Sequence, residues 1–166
     1  MSPRTVRASL VAVALMLVVL FSLSLLPYGG ASEYKLKRQL AGVDLIRVRS
    51  GGTCHRMIEQ ERVLFEETDP ARVGEIIEAI RIDNQGMTIY CSCCGTPSIE
   101  FYRGGQLVVT LGCHHGKFLR WREGWKSDGE LTEASAAWLK GWLASHGIAF
   151  ADSTSAQDLD GVGQRR

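Results

Sequence analysis

The strongest constraint on the fold is an alternating pattern between residues 87 and 121 that two tight-turn signals interrupt. Gly104-Gly105 and His115-Gly116 each separate segments in which apolar and polar side chains alternate. Alternation with a period of two predicts strands, and turns this short require consecutive strands to run antiparallel. The pattern therefore predicts a C-terminal four-stranded meander, with strands at about 87–91, 99–102, 107–113 and 117–121.

Residues 43–82 predict two further strands and a helix. Apolar residues from Val43 to Val48 indicate the first strand, and residues 61–67 indicate the second. Asp69-Pro70 then predicts a helix start, because an aspartate caps the first turn and a proline fits the first helical position. One apolar stripe at helical spacing follows, formed by Val73, Ile76, Ile77 and Ile80.

A second helix is predicted at about residues 132–146. Thr132 suits its N-cap and Gly147 its C-terminal stop. Its apolar stripe is formed by Trp138, Leu139, Trp142 and Leu143. We therefore expect an α+β fold in which helices at 70–82 and 132–146 pack against a mostly antiparallel sheet of five to six strands. An N-terminal hydrophobic helix is expected to precede this domain.

That N-terminal segment runs from Ala8 to Pro27, follows Arg4 and Arg7, and contains three serines as its only polar side chains. About 20 apolar residues span the hydrocarbon core of a bilayer. We predict a membrane anchor within residues 1–31 and an extracytoplasmic C-terminal domain, because a short N-terminal tail usually stays inside. The alternative is a cleaved signal peptide and a secreted domain, since residues 29–31 are small.

The remaining chain divides by composition. Residues 32–41 are polar without a clear period and predict a stalk. Residues 42–150 are predicted to form the folded domain, and residues 151–166 a disordered tail.

The charges of the chain nearly balance, since Lys plus Arg number 19 and Asp plus Glu number 18. Because nucleic-acid binding requires a strongly basic surface, this balance argues against such a partner. The membrane is the one partner that the sequence predicts, and no protein partner is indicated.

Cysteine and histidine residues are concentrated in one short stretch. Four of the five cysteines and two of the four histidines lie within 25 residues. They are Cys91, Cys93, Cys94, Cys113, His114 and His115. Thiolate and imidazole bind soft and borderline metals, and thiols also carry disulfide chemistry. The stretch therefore indicates a metal site, a redox site or a disulfide staple.

The predicted meander would bring the two halves of this stretch together. The bends at residues 93–95 and 114–116 should lie at the same end of the sheet, roughly 10 Å apart. Strand alternation places Cys91, Cys93, Cys113 and His115 on one shared face, with Cys94 and His114 as reserve ligands. Such a set favours zinc, with copper as the alternative. Cys54 or His55 could add a further ligand.

Two other functions compete with metal binding. Cys91 and Cys93 could form a thiol–disulfide exchange pair that His114 or His115 tunes. Alternatively, the chain could be an interaction module stapled by disulfides, although five cysteines cannot all pair internally. The chain contains no phosphate-binding glycine loop, HExxH helix or GxSxG elbow. We therefore expect a non-catalytic role.

Overall fold

The computed structural model describes residues 30–54, 58–83 and 92–150, which form an α+β fold. In these ranges there are three α-helices: α1 (Gly30–Leu40), α2 (Pro70–Ala79) and α3 (Glu133–Ser145). The strands are β1 (Leu45–Arg49), β2 (Val63–Glu67), β3 (Ile82–Asp83), β4 (Ser98–Arg103), β5 (Gln106–His114), β6 (Phe118–Arg120) and β7 (Gly129–Leu131). A short 3₁₀ turn covers Ile58–Gln60.

All seven described strands join one sheet in the order β2-β1-β4-β5-β6-β7-β3. Every neighbouring pair is antiparallel. The predicted antiparallel sheet is thus confirmed, but it has seven strands where five to six were expected. The difference includes β3 and β7, which have two and three residues and are too short to show a period in the sequence.

The C-terminal meander consists of β4, β5, β6 and β7. The prediction had placed residues 87–91 beside β4, but β1 occupies that edge, with Ile46 opposite Phe101 and Val48 opposite Ile99. This pairing aligns the apolar faces of both strands on the core. Residues 87–91 themselves lie outside the described residues. The predicted hairpin at residues 104–105 is confirmed, because both glycines have the positive φ that such turns require.

One face of the sheet carries the hydrophobic core, and all three helices pack on it. Both predicted helices are present, although α2 ends at Ala79 instead of residue 82 because β3 begins there. Asp69 caps α2 by accepting from the backbone N–H groups of Ala71 and Arg72, as its position in the sequence predicted. The core combines Ile46, Val48, Ile76, Phe101, Leu111, Leu119, Leu139 and Leu143, all at most 2% exposed.

Helix α1 replaces the stalk that was expected for residues 32–41. Leu36 and Leu40 are at most 1% exposed and belong to the core. Glu33 accepts from the backbone N–H of Ile82 at 2.9 Å and forms an ion pair with Arg81. Two buried leucines one turn apart are too few to create a visible period, so the tertiary contacts of this helix were not evident from the sequence.

The expected N-terminal hydrophobic helix and C-terminal tail lie mainly in residues 1–29 and 151–166, outside the described residues. Among the helices within the described ranges, none has the length and apolar character needed to cross a membrane.

The second face of the sheet carries buried polar groups. Arg49 Nε donates to Glu100 Oε2 at 2.8 Å, and the Tyr102 hydroxyl donates to the same oxygen at 2.6 Å. Further along this face, Arg120 and Asp128 form an ion pair in which both side chains are at most 3% exposed. The loops around residues 50–54 and 92–97 contact each other near this end of the sheet, where Cys93 meets His114 and His115.

Candidate metal centre

Cys93, His114 and His115 form a group that could hold a metal ion. The Cys93 sulfur lies 3.0 Å from Nδ1 of His114 and 3.4 Å from Nε2 of His115. One ligand atom from each of the three residues lies within 4.8 Å of the other two. Burial differs across the group, since His114 is buried, Cys93 is half-buried and His115 is exposed.

A left-handed residue brings the two adjacent histidines to the same sulfur. Neighbouring residues on a strand point to opposite faces, so His114 and His115 would diverge if β5 continued. The strand ends at His114, and His115 adopts a φ of 49°. Gly116 also has a positive φ, and the Lys117 N–H donates to the His114 carbonyl at 3.1 Å. This tight turn, which the sequence predicted, redirects the His115 ring toward Cys93.

The His114 ring is enclosed by the loop that carries Cys93. Its exposure is 1%, and among the described residues its Nε2 atom has no hydrogen-bond partner. Gly95 lies directly against the ring, because a Cβ added there would be 2.1 Å from Nε2. Burial, followed by the positive charge of Arg120, lowers the pKa of His114 to about 4. The imidazole is therefore neutral near pH 7, which is the form that binds metals.

An ion pair on the second face of the sheet holds the Cys93 loop in place. Arg120 donates from Nε and Nη2 to the two carboxylate oxygens of Asp128 at 2.6 and 2.7 Å. Its remaining nitrogen, Nη1, donates to the Cys93 carbonyl at 2.7 Å. Because the carboxylate fixes the guanidinium plane, the guanidinium in turn fixes the backbone that carries the Cys93 thiol.

A second loop is attached to the first. The Thr53 N–H donates to the Cys94 carbonyl at 2.8 Å, and Arg122 Nη1 donates to the carbonyls of Thr53 and Cys54 at 3.0 and 3.1 Å. The loops approach so closely that a Cβ on Gly52 would lie 2.5 Å from the Cys94 carbonyl oxygen. Only glycine fits at this contact without displacing the backbone.

The predicted site residues divide into those inside and those outside this group. Cys93 and His115 meet as expected, and the reserve ligand His114 joins them. Cys94 is half-buried and lies in the same loop but outside the group. Cys91 lies outside the described residues.

Cys113, which was expected to converge with Cys93, is not part of this group. Cys113 is 1% exposed and belongs to the hydrophobic core with Leu111 and Leu119. Burial raises the pKa of its thiol, which disfavours the thiolate form that binds metals. Alternation had assigned Cys113 and His115 to one face, but the left-handed turn moves His115 to the face that His114 occupies.

Sequence reasoning also missed the supporting residues Arg120 and Asp128. One signal could have identified Arg120, because Leu119 and Trp121 on either side are core residues. Alternation along β6 then directs Arg120 to the same face as His114. Nothing in the sequence marks Asp128, which lies in the connection between β6 and β7.

The described residues bear only in part on the two alternative functions, thiol–disulfide exchange and a disulfide-stapled module. The proposed exchange pair includes Cys91, which is not described. No disulfide joins the four described cysteines (54, 93, 94 and 113) to one another. Cys54 lies beside the group, since its sulfur is 3.6 Å from the Cys93 carbonyl oxygen.

No family model, no curated protein and no solved structure matches the chain.

Proposed function

We propose that this chain is a membrane-tethered or secreted domain that binds one transition-metal ion at Cys93, His114 and His115, in a non-catalytic role. Zinc is the first choice and copper the alternative. The observation that carries the proposal is the convergence of one sulfur and two imidazole nitrogens within 4.8 Å of one another.

The donor atoms are suited to these metals. Thiolate and neutral imidazole bind both zinc and copper, whereas calcium and magnesium require oxygen ligands. Zinc lies about 2.3 Å from sulfur and about 2.0 Å from nitrogen, so tetrahedral ligands are separated by about 3.5 Å. The observed sulfur–nitrogen distances of 3.0 and 3.4 Å are slightly shorter. Small side-chain adjustments would therefore admit an ion.

The surroundings favour binding because they are already organised. Arg120 and Asp128 fix the Cys93 backbone, and burial keeps His114 neutral. A pre-positioned ligand set loses little conformational entropy when the ion binds. The exposed His115 gives the ion a route from solvent.

The cellular location in this proposal depends on the sequence alone. The apolar segment at residues 8–27 supplies either an anchor or a signal peptide. Both would place the domain outside the cytoplasm, tethered in the first case and released in the second.

Metal content of the full chain tests the proposal. Elemental analysis after purification should find one zinc or copper ion per chain. Cys93→Ser and His114→Gln should each weaken binding by at least about 100-fold, because even outer-shell substitutions cost 10- to 100-fold. A competition titration with a chromophoric chelator measures this loss.

Two matched variants control for the loss of one thiol or one imidazole. Cys94→Ser and His146→Gln, which lie outside the group, should retain the affinity of the unmodified chain. A chain that binds no metal under reducing conditions would contradict the proposal. If such a chain formed a Cys91–Cys93 disulfide of mild potential, the result would favour thiol–disulfide exchange instead.

A further inference from the structure

We infer that Cys54 supplies a second thiolate to this centre, which would then hold its ion through two sulfurs and two imidazole nitrogens. The inference builds on the proposed metal-binding function and names the fourth protein ligand. Zinc sites of this composition are four-coordinate, and three converging ligands leave one position to be filled.

The position of the Cys54 sulfur is the first argument. It lies 3.6 Å from the carbonyl oxygen of Cys93, whose own sulfur contacts both histidines. Covalent geometry therefore keeps it within about 6 Å of the Cys93 Cα atom. A change of rotamer moves a cysteine sulfur by about 3 Å. A side-chain rotation of Cys54, without loop movement, is the change by which this sulfur would join the three residues of the group.

The backbone that carries Cys54 is fixed beside the site. Arg122 Nη1 donates to the carbonyls of Thr53 and Cys54, and the Thr53 N–H donates to the Cys94 carbonyl. The contact between Gly52 and that same carbonyl allows the two loops to approach closely. Cys54 is therefore held next to the group by interactions that do not involve its own thiol.

Charge balance is the second argument. A divalent ion with Cys93 as its only thiolate would leave one uncompensated positive charge beside a buried histidine. Arg120 cannot offset it and is itself neutralised by Asp128. Buried net charge is costly, and a second thiolate removes it. Nη1 of Arg120 lies 3.8 Å from the Cys54 sulfur in its present position, before the rotation that metal binding would require.

Cobalt(II) bound to the full chain under reducing conditions tests the inference. Thiolate-to-cobalt charge-transfer absorption grows with the number of sulfur ligands. We expect the unmodified chain to show the intensity of two thiolates. Cys54→Ser should reduce this intensity to about half while cobalt remains bound, whereas Cys94→Ser, in the neighbouring loop, should leave it unchanged.

X-ray absorption of the zinc-loaded, unmodified chain gives a measurement that needs no variant. Two sulfurs at about 2.3 Å from zinc are expected. One sulfur, or a Cys54→Ser variant that keeps the full charge-transfer intensity, would overturn the role of Cys54 and leave metal binding intact. An unmodified chain that binds neither cobalt nor zinc would overturn both.

Discussion

Gly95 combines a backbone conformation and a contact that no other residue can accommodate. Its φ is +62°, and a Cβ there would lie 2.1 Å from Nε2 of His114. We expect Gly95→Ala to lower the free energy of unfolding by at least about 2 kcal/mol, because left-handed strain and overpacking add. Metal affinity should fall as well, since the displaced ring no longer faces Cys93. Denaturant titration and chelator competition measure the two effects.

Gly104 offers the matched control for this substitution. It also has a positive φ, +55°, but a Cβ there would meet nothing within 4 Å. Gly104→Ala should therefore cost only the strain, about 1 kcal/mol, and leave metal affinity unchanged. Equal losses of affinity in the two variants would contradict the role assigned to Gly95.

Because His114 is buried, the stability of the metal-free chain should depend on pH. Burial lowers its pKa from 6.5 to about 4, so the unfolded chain binds more protons than the folded chain between these values. The free energy of unfolding should therefore fall as the pH falls from 6.5 toward 4, by about 3 kcal/mol from this residue. Unfolding measured at several pH values in this window tests the slope.

The slope of the free energy of unfolding against pH separates the titration of His114 from its other effects on stability. His114→Gln should flatten the dependence on pH between 4 and 6.5, whatever its effect on stability at pH 7. His146→Gln, which removes a histidine stacked on Phe65 far along the chain, controls for the loss of one imidazole. An unchanged slope in His114→Gln would show that burial of this ring is not its cause.

The residue types of the candidate metal site could be predicted from the sequence, but which of these residues converge could not. Cysteine and histidine at residues 93, 114 and 115 are conspicuous by type. Which of Cys113 and His114 lies near Cys93 depends on the face of the sheet that the Cys93 loop covers, and His115 joins the group through its left-handed backbone. A non-glycine residue with positive φ has no dependable sequence signature, so simple alternation gave the wrong face.

At the scale of elements, the buried and exposed positions of α1 should differ clearly in their contribution to stability. Leu40 is 1% exposed in the core, whereas Tyr34 on the same helix is 67% exposed. Leu40→Ala should lower the free energy of unfolding by about 2–5 kcal/mol, and Tyr34→Ala by less than about 0.5 kcal/mol. Denaturant titration of both variants measures the difference. Similar small effects would mean that residues 30–40 contribute little to stability, as expected of the stalk that composition predicted for residues 32–41.

Elements with strong local patterns were predicted well, and elements held by distant partners were not. Helix α2 has a capping aspartate, a proline and an apolar stripe, so its start was found at the correct residue. By contrast, β3 and β7 are stabilised by pairing with each other across a separation of nearly 50 residues. Strand pairs that short have no local preference of their own, because their stability comes from the sheet that they complete.

At the scale of the whole molecule, the site exists only in the folded chain. Its residues come from positions 93, 114 and 115, and the adjoining loop from positions 52–54. A metal that binds the folded form alone stabilises it by about 2.7 kcal/mol at a free concentration 100 times the Kd. We expect this gain for zinc in the full chain and at most about 0.4 kcal/mol in Cys93→Ser, whose Kd should be at least about 100-fold higher. Equal stabilisation of both would indicate binding elsewhere.

The strand order also has a consequence for the sequence of events during biosynthesis. The first half of the chain supplies both flanks of the described sheet, β2-β1 on one side and β3 on the other, while residues 98–131 supply its centre. A lone two-stranded pair is at best marginally stable in water. In a nascent chain leaving the ribosome, β1 and β2 would therefore gain their neighbour β4 once residue 103 had emerged, whereas β3 would wait for β7 until residue 131 had emerged, so the β3 edge of the sheet would close last.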